Sequence, residues 1–236
     1  MKKYILKISG EALRDNNVLS ENKAKKVCND IKKFVDTSSC LAVITGAGNI
    51  WRGRNSKIID DVDADYIGMQ ATNLNASLLY YMLKNMGIRS YLCSALPIDN
   101  VINSYEIDRV NELYNAGYVI IIGGGLGQPG ITTDTAIAKR SIELDADVIL
   151  MGKSIDAVYD KDPKISGAYR YEKISMTELI ENQKKVGLNS PGIIDMEAAL
   201  LLKDTNKEIY IYKGDSITAI DEILSGKNPG TIIKNN

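Results

Sequence analysis

Residues 118–144 read YVIIIGGGLGQPGITTDTAIAKRSIEL, and this stretch decides the fold. Its apolar, β-branched beginning at residues 119–122 is typical of a buried strand in a parallel sheet. Four glycines follow within residues 123–127, and the Thr-Thr-Asp of residues 132–134 then offers the N-cap chemistry of a helix. Because free N–H groups and the positive end of the dipole meet at a helix N-terminus, this order of elements predicts a phosphate site.

Two familiar nucleotide-binding patterns also match this region by letter. Residues 125–130 fit the dinucleotide fingerprint GxGxxG, but residues 128–131 separate its second glycine from the helix cap, where that fingerprint requires the helix to open. Residues 152–154, Gly-Lys-Ser, fit the end of a Walker A motif, but its first glycine would fall on Asp147. A dehydrogenase is therefore the weaker alternative, and the P-loop interpretation fails.

Composition limits the class of protein. The 236 residues carry a net charge of −1, from 29 basic and 30 acidic side chains, so nothing favours a nucleic-acid or membrane partner. The sequence has no run of 18 apolar residues, and its first residues lead directly into a strand pattern without a signal-peptide core. Cys28, Cys40 and Cys93 are scattered and odd in number, which favours a reducing, cytoplasmic location.

The chain contains no histidine, and this absence restricts its chemistry. Histidine-based nucleophilic pairs, histidine general bases and His-ligated zinc are excluded, and three cysteines without a CxxC pattern argue against a cysteine-only metal site. Carboxylates, lysine, arginine, backbone dipoles and a ligand-borne metal remain. Phosphoryl transfer depends mainly on those groups, because positioning and charge stabilisation carry most of its catalysis.

Two further strands end in loops suited to anions. Residues 4–8 predict the first strand, with Lys7 near the carboxyl end, where open α/β sheets bind ligands. The alternative for Lys7 is a surface position on an edge strand. Residues 41–44 predict a second buried strand, followed by glycines and by Arg52 and Arg54, which suit a second anion.

The remaining pattern alternates strands and helices. Strands are predicted near 89–94, 148–151, 208–212 and 231–233, and helices over 20–35, 67–86, 105–116, 132–144, 176–182, 194–203 and 217–224. An acidic cluster just before residue 67 (Asp60, Asp61, Asp63 and Asp65) is expected chiefly to complement the helix dipole. The alternation predicts an α/β sandwich with a mainly parallel sheet, in one domain of residues 1–236 with a soft boundary near 150.

Spaced motifs across nearly the whole chain resemble the bacterial uridylate kinases of the amino-acid kinase family. They are residues 7–13 (KISGEAL), Gly48-Asn49 with Trp51-Arg52-Gly53, Asp65 with Gly68-Met69 and Ala71-Thr72, and Pro129 with Thr132-Thr133-Asp134. The resemblance implies a hexameric, three-layer α/β/α enzyme of pyrimidine nucleotide synthesis. Such an enzyme transfers the γ-phosphoryl group of ATP, with Mg²⁺ carried by the nucleotide, to UMP. It further implies an N-terminal lobe for UMP and a C-terminal lobe for ATP.

Functional residues follow from the resemblance position by position. Lys7 would neutralise charge on the transferring group, and Asp134 would orient Lys7 and help to anchor Mg²⁺. The implied ATP contacts are Lys7, Ile8, Ser9, Gly10, Gly48, Arg52, Lys153, Tyr159 and Asp162. The implied UMP contacts are Ala47, Asp65, Leu126, Gly127, Gln128, Pro129, Gly130, Ile131, Thr132 and Thr133.

Several positions depart from the family pattern. Ala47 interrupts a triple glycine, Leu126 and Gly130 replace a threonine and an aromatic residue beside UMP, and Lys153 and Ala157 replace a threonine and a glycine near ATP. The ammonium of Lys153 would reach the ATP phosphates, or else would be a solvated loop charge. Two other functions stay open: a kinase of the same superfamily acting on a carboxylate, carbamate or phosphonate, and a non-catalytic nucleotide sensor.

Overall fold

The computed structural model describes residues 1–53, 58–186 and 193–235, so Arg54 lies outside the described residues. The strands are β1 Lys3–Ile8, β2 Cys40–Thr45, β3 Ser90–Ser94, β4 Asn103–Ser104, β5 Val119–Gly123, β6 Val148–Lys153, β7 Val158–Tyr159, β8 Arg170–Tyr171, β9 Lys173–Ile174, β10 Glu208–Lys213 and β11 Thr231–Ile233. The helices are α1 Glu21–Asp36, α2 Asp61–Asn85, α3 Ile107–Asn115, α4 Thr133–Glu143, α5 Met176–Val186, α6 Met196–Leu202 and α7 Ala219–Leu224, with a 3₁₀ turn at Gly10–Leu13.

One large sheet organises the described chain. Its nine strands run in the order β4-β3-β5-β2-β1-β6-β10-β11-β9, and they pair in parallel except where β10 meets β11. The prediction of a mainly parallel sheet is confirmed. β1 lies between β2 and β6, with Lys7 beside Ile44 on one side and Met151 on the other. The alternative that placed Lys7 on an edge strand is therefore wrong.

Apolar side chains leave both faces of the sheet and form two cores. On one face Tyr4, Leu6 and Ile8 of β1 pack in a cluster with buried residues of α1, α2 and α7. On the other face Ile5 packs in a cluster with residues of α3, α4, α5 and α6. Alternate residues of a strand point to opposite faces, so one strand supplies both cores. The result is the three-layer α/β/α sandwich that the resemblance implied.

Sequence patterns located the elements better than their ends. α2 begins at Asp61 rather than near residue 67, because the Asp60 carboxylate caps it by accepting the N–H of Asp63 at 2.9 Å. The acidic cluster thus lies mostly within the helix. β6 extends to Lys153, which the sequence placed just beyond the strand. The short strands β4, β7, β8 and β9 were not predicted, because two residues carry no recognisable period.

No helix in the described ranges combines the length and the apolar character needed to cross a membrane.

Candidate active site

The site forms where four neighbouring strands end at the same edge of the sheet. β5, β2, β1 and β6 are adjacent and parallel, and their carboxyl ends lead into the glycine loops and to Lys153. α1 connects β1 to β2 across one face, whereas α4 connects β5 to β6 across the other. The connections therefore change face beside β1, and such a switch point opens a crevice for ligands in parallel sheets.

A charged triad occupies this switch point. Asp134 Oδ1 accepts a hydrogen bond from Lys7 Nζ at 2.5 Å, and Asp134 Oδ2 accepts one from Lys153 Nζ at 2.6 Å. The three side chains are 15%, 12% and 15% exposed for Lys7, Asp134 and Lys153. The alternative of a solvated loop lysine at position 153 is therefore wrong. Two ammonium groups share one carboxylate, so the triad keeps one net positive charge.

Burial and charge act against each other on the ionisation of the triad. Burial alone raises the pKa of Asp134, but the two ammonium groups outweigh it and hold that pKa below its usual value. The pKa of Lys153 is lowered, first by burial and then by repulsion from Lys7, although the carboxylates of Asp134 and Asp195 oppose both. The carboxylate is thus firmly ionised, whereas Lys153 gives up its proton more readily than an ordinary lysine. An incoming anion would relieve the repulsion between the lysines.

The start of α4 fixes the carboxylate of the triad. Thr132 is the N-cap, and its hydroxyl oxygen accepts the N–H groups of Asp134 and Thr135, each at 3.1 Å. The Thr132 hydroxyl donates in turn to Asp195, which also accepts from the Thr135 hydroxyl at 3.0 Å and caps α6. One carboxylate therefore ties the starts of α4 and α6 together beside the triad.

A first cavity of about 740 Å³ opens beside the glycine loops. It lies between the loop after β2, the start of α2 and the loop after β5. Asp65 on α2 accepts the N–H of Gly130 at 2.6 Å and so joins the helix to the loop. Of the residues predicted to contact UMP, those on the wall are Ala47, Asp65, Gln128, Gly130, Ile131, Thr132 and Thr133.

Other predicted residues lie differently around this cavity. Leu126, Gly127 and Pro129 belong to the same loop but are not on the wall. Gly48 and Arg52, which the sequence assigned to ATP, line this first cavity. The Arg52 guanidinium is paired with Glu11 and also donates to the Gly48 carbonyl at 3.3 Å.

A second cavity of about 560 Å³ opens on the other side of the triad, and Lys153 is part of its wall. Tyr159 and Asp162 also line it, together with the apolar side chains of Ile155 and Leu179. The Tyr159 hydroxyl donates to Asp156 at 3.1 Å, which steadies the loop between β6 and β8. Lys7, Ile8, Ser9 and Gly10 line neither cavity. Lys7 and Ile8 are the last residues of β1, and Ser9 and Gly10 follow the strand.

Sequence reasoning missed Asp195 and Glu11. Asp195 carried a recognisable signal, because Asp before an apolar helical run is a typical N-cap. Its contact with Thr132 spans 63 residues, and no local pattern predicts such a pairing. Glu11 lies inside the quoted KISGEAL motif, but nothing in the sequence indicates that it pairs with Arg52.

In the described residues, no group of three or more His, Cys, Asp or Glu side chains is placed to hold a metal ion.

Comparisons with known proteins agree over nearly the full length. The sequence profile described as "Amino acid kinase family" matches residues 2–213. The uridylate kinase of Mesoplasma florum is 35% identical over 236 aligned residues, which cover 98% of this chain and 96% of that protein.

Solved structures give the same result. The crystal structure of UMP kinase from Ureaplasma parvum superposes with a TM-score of 0.90 at 30% identity, covering 99% of each chain. The UMP kinase of Bacillus anthracis superposes with a TM-score of 0.91 at 30% identity, covering 100% of this chain and 96% of that one. The chain is thus similar in both fold and sequence to bacterial uridylate kinases.

Proposed function

This chain belongs to the amino acid kinase family, among its uridylate kinases, and on that premise we propose that it transfers the γ-phosphoryl group of ATP to UMP. An oxygen of the UMP phosphate attacks the γ-phosphorus, the bond from that phosphorus to the leaving ADP oxygen breaks, and the products are UDP and ADP. UDP would then enter pyrimidine nucleotide synthesis.

The position of the triad between two cavities is the observation that supports this reaction best. Lys153 lines the second cavity. Thr132 and Thr133, which directly precede Asp134 in the chain, line the first. Phosphates entering from both sides would meet at a buried group with one net positive charge. Preorganised positive charge of this kind stabilises the negative charge of a transferring phosphoryl group.

Each residue then has a role that follows from its place. Lys7 contacts the transferring group, and Asp134 holds both lysines in position through its two oxygens. Lys153 approaches the ATP phosphates from the second cavity, whereas Asp65 binds the ribose of UMP in the first. We propose that Arg52 leaves Glu11 and pairs with a phosphate instead, since both side chains are exposed to solvent.

Magnesium is proposed to arrive with the nucleotide. Each oxygen of Asp134 accepts one ammonium hydrogen bond and retains acceptor capacity, so the carboxylate fits beside an ion held by phosphates. When bound, Mg²⁺ supplies further charge neutralisation on the β- and γ-phosphates. The described residues contribute the positions of the lysines and not a metal cage of their own.

Assembly and location are also proposed. Exposed apolar side chains recur every seven residues on one face of α2, namely Ile67, Leu74 and Tyr81, which supports a homo-oligomer, with the hexamer as the expected form. The three cysteines are free thiols, which supports a reducing cytoplasm. The soft division near residue 150 corresponds to a UMP lobe that carries the first cavity and an ATP lobe that carries most of the second.

A coupled ADP-release assay tests the proposal. Purified protein is given ATP and Mg²⁺ with UMP, CMP, dTMP, aspartate, glutamate or carbamate in turn. We expect rapid, saturable ADP release with UMP, and at most slow release with the others. Rapid turnover of a carboxylate or carbamate, or none with any acceptor, would overturn the assignment.

A further inference from the structure

A pair of buried asparagines lies behind the site and touches neither cavity. Asn75 of α2 is fully buried, and Asn49 in the loop after β2 is nearly so. Asn75 Nδ2 donates to Asn49 Oδ1 at 2.8 Å, and Asn49 Nδ2 donates back to Asn75 Oδ1 at 3.0 Å. The two amides therefore hold each other through a reciprocal pair of hydrogen bonds.

The same amides hold the backbone of the loop after β2. Asn75 Nδ2 also donates to the Gly46 carbonyl at 2.7 Å, and Asn49 Nδ2 to the Val18 carbonyl at 2.9 Å. Ala47 and Gly48, which line the first cavity, lie between Gly46 and Asn49, the two residues of this loop that the pair holds. The pair thus fixes the backbone on both sides of Ala47 and Gly48.

Asn49 further sets the distance to the loop after β1. A Cβ added at Gly10 would lie 2.3 Å from Asn49 Oδ1 and 2.6 Å from the Gly48 nitrogen, which leaves no room for a methyl group. Gly46 N–H also donates to the Ile8 carbonyl at 2.8 Å. The two loops are therefore in direct contact, and Asn49 is the side chain at that contact.

Helix α2 holds the remaining acceptor loop from the same side. Thr72 accepts the N–H of Gly124 at 2.7 Å, and Asp65 accepts that of Gly130. Asn75 lies one turn further along α2 than Thr72, and it holds the loop after β2. Through Asn49, it also supports the segment that follows Lys7 at the end of β1. One helix thus sets the spacing among the loops that follow β1, β2 and β5.

We infer that Asn49 and Asn75 are positioning residues that set the distance between the donor and acceptor phosphates. This inference rests on the proposed function, since it concerns how that reaction is aligned. Neither residue lines a cavity, so each nucleotide alone would still bind when the pair is broken. Alignment would suffer, and a displacement of about 1 Å can lower turnover by about 10²-fold.

Four proteins test the pair: wild type, Asn49→Leu, Asn75→Leu and the double variant. Each single variant should lower kcat by ~10- to 10²-fold while both KM values stay within about threefold of wild type, as expected for misalignment without lost contacts. The double variant should be no slower than the slower single variant, because each substitution already breaks the shared interaction. Asn49→Ser, which adds no volume to this buried position, provides a milder variant if the leucine variants fold poorly.

Tyr114→Phe serves as the matched control. The Tyr114 hydroxyl is fully buried and donates to the Tyr4 carbonyl at 2.8 Å, at the opposite end of β1. Its removal should lower the melting temperature and leave kcat unchanged. If the asparagine variants behave like this control, with reduced stability and full kcat, the pair is structural and the inference is wrong.

A binding measurement separates this inference from the proposed function. Affinity is measured for ATP, for UMP, and for a bisubstrate ligand in which adenosine and uridine are joined through a chain of phosphates. The variants should bind the single nucleotides normally but the linked ligand at least ~10-fold more weakly, since only the linked ligand requires correct spacing. Equal affinity of variants and wild type for the linked ligand would overturn the inference. Failure of wild type to bind UMP would instead reject the proposed function.

Discussion

Helix α4 carries a cluster of buried charge at each end, and the two clusters differ in what they leave unsatisfied. Near its start, Asp134 is shared by Lys7 and Lys153, so one positive charge remains. Near its end, Arg140 pairs with Glu143 at 2.7 Å, and no net charge remains. The same helix therefore holds one open cluster and one closed cluster.

The closed cluster compensates its charge within the fold, although the buried Nε of Arg140 has no hydrogen-bond partner among the described residues. The Arg140 guanidinium lies 3.5 Å from the centre of the Tyr105 ring, and its Nη2 donates to the Gly125 carbonyl at 3.4 Å. A cation that contacts a carboxylate, an aromatic face and a carbonyl has its positive charge compensated within the protein. The open cluster, at the edge of two cavities, can be completed only by an anion. Incomplete charge compensation, rather than buried charge as such, distinguishes the candidate active site.

Replacing the carboxylate of each cluster by an amide should give the largest difference between the catalytic cluster and the structural one. Asp134→Asn leaves two ammonium groups without a counter-ion, so stability should fall by about 3–5 kcal/mol. Turnover should fall by at least ~10²-fold, since both lysines lose their alignment. Denaturant unfolding and steady-state kinetics measure the two effects.

Glu143→Gln is the matched variant at the closed end of α4. It should reduce stability while kcat remains within about twofold of wild type, because Arg140 does not meet the reacting groups. Full activity in Asp134→Asn would show that the open cluster is structural as well.

Removing one lysine should affect turnover without affecting stability. Lys7→Ala should lower kcat by at least ~10²-fold, a typical loss for one transition-state charge contact. The melting temperature should hardly change, because Asp134 keeps Lys153 as a partner and the repulsion between the lysines disappears. Thermal unfolding beside kinetics is the check, and an active Lys7→Ala enzyme would remove Lys7 from the mechanism.

The acceptor side should respond in KM rather than in kcat. Asp65→Asn keeps an oxygen that can accept the Gly130 N–H but loses the charge proposed to bind ribose. Losing one charged hydrogen bond should cost about 1.5–3 kcal/mol, seen as a raised KM for UMP. The KM for ATP should stay almost unchanged. Equal increases in KM for UMP and for ATP would indicate that Asp65 only complements the dipole at the start of α2 and does not bind ribose.

Lys153 should give the smallest effect, on ATP binding alone. Lys153→Thr should raise the KM for ATP, more at low salt, while turnover persists at saturating ATP. Since burial and Lys7 lower the pKa of Lys153, wild type should lose ATP affinity as pH rises towards the ordinary lysine value of 10.5. The variant should lack that alkaline loss. Superimposable ATP titrations of the two proteins, at two ionic strengths and across pH, would exclude Lys153 from the donor site.

Local patterns in the sequence accounted for seven of the nine strands of the sheet, for the glycine loops and for the helix cap at residue 132. β-branched runs, glycines and cap residues act within a few positions of one another, and for that reason they can be recognised without a structure. Lys7 was recognised as a candidate because it lies at a strand end next to glycine. Its side-chain partner could be named only through the family resemblance.

Long-range pairings were beyond such reasoning. Asp134 meets Lys153 across 19 residues and Lys7 across 127, and the asparagine pair joins a loop to a helix 26 residues away. The sharing of one carboxylate by two lysines, and hence the net charge of the site, follows from packing. Likewise, only the structure showed that Gly48 and Arg52 line the first cavity, because the sequence orders loops but does not orient them.

Binding of a transition-state mimic tests the central claim most directly, namely that the Lys7 ammonium of the triad stabilises the transferring phosphoryl group. Wild type and Lys7→Ala are titrated with ADP and UMP in the presence and absence of aluminium fluoride, which imitates the planar phosphoryl group. The account predicts that Lys7→Ala binds ADP and UMP normally but loses fluoride-dependent affinity by the factor by which kcat falls, at least ~10²-fold. Equally tight fluoride complexes in the two proteins would contradict it.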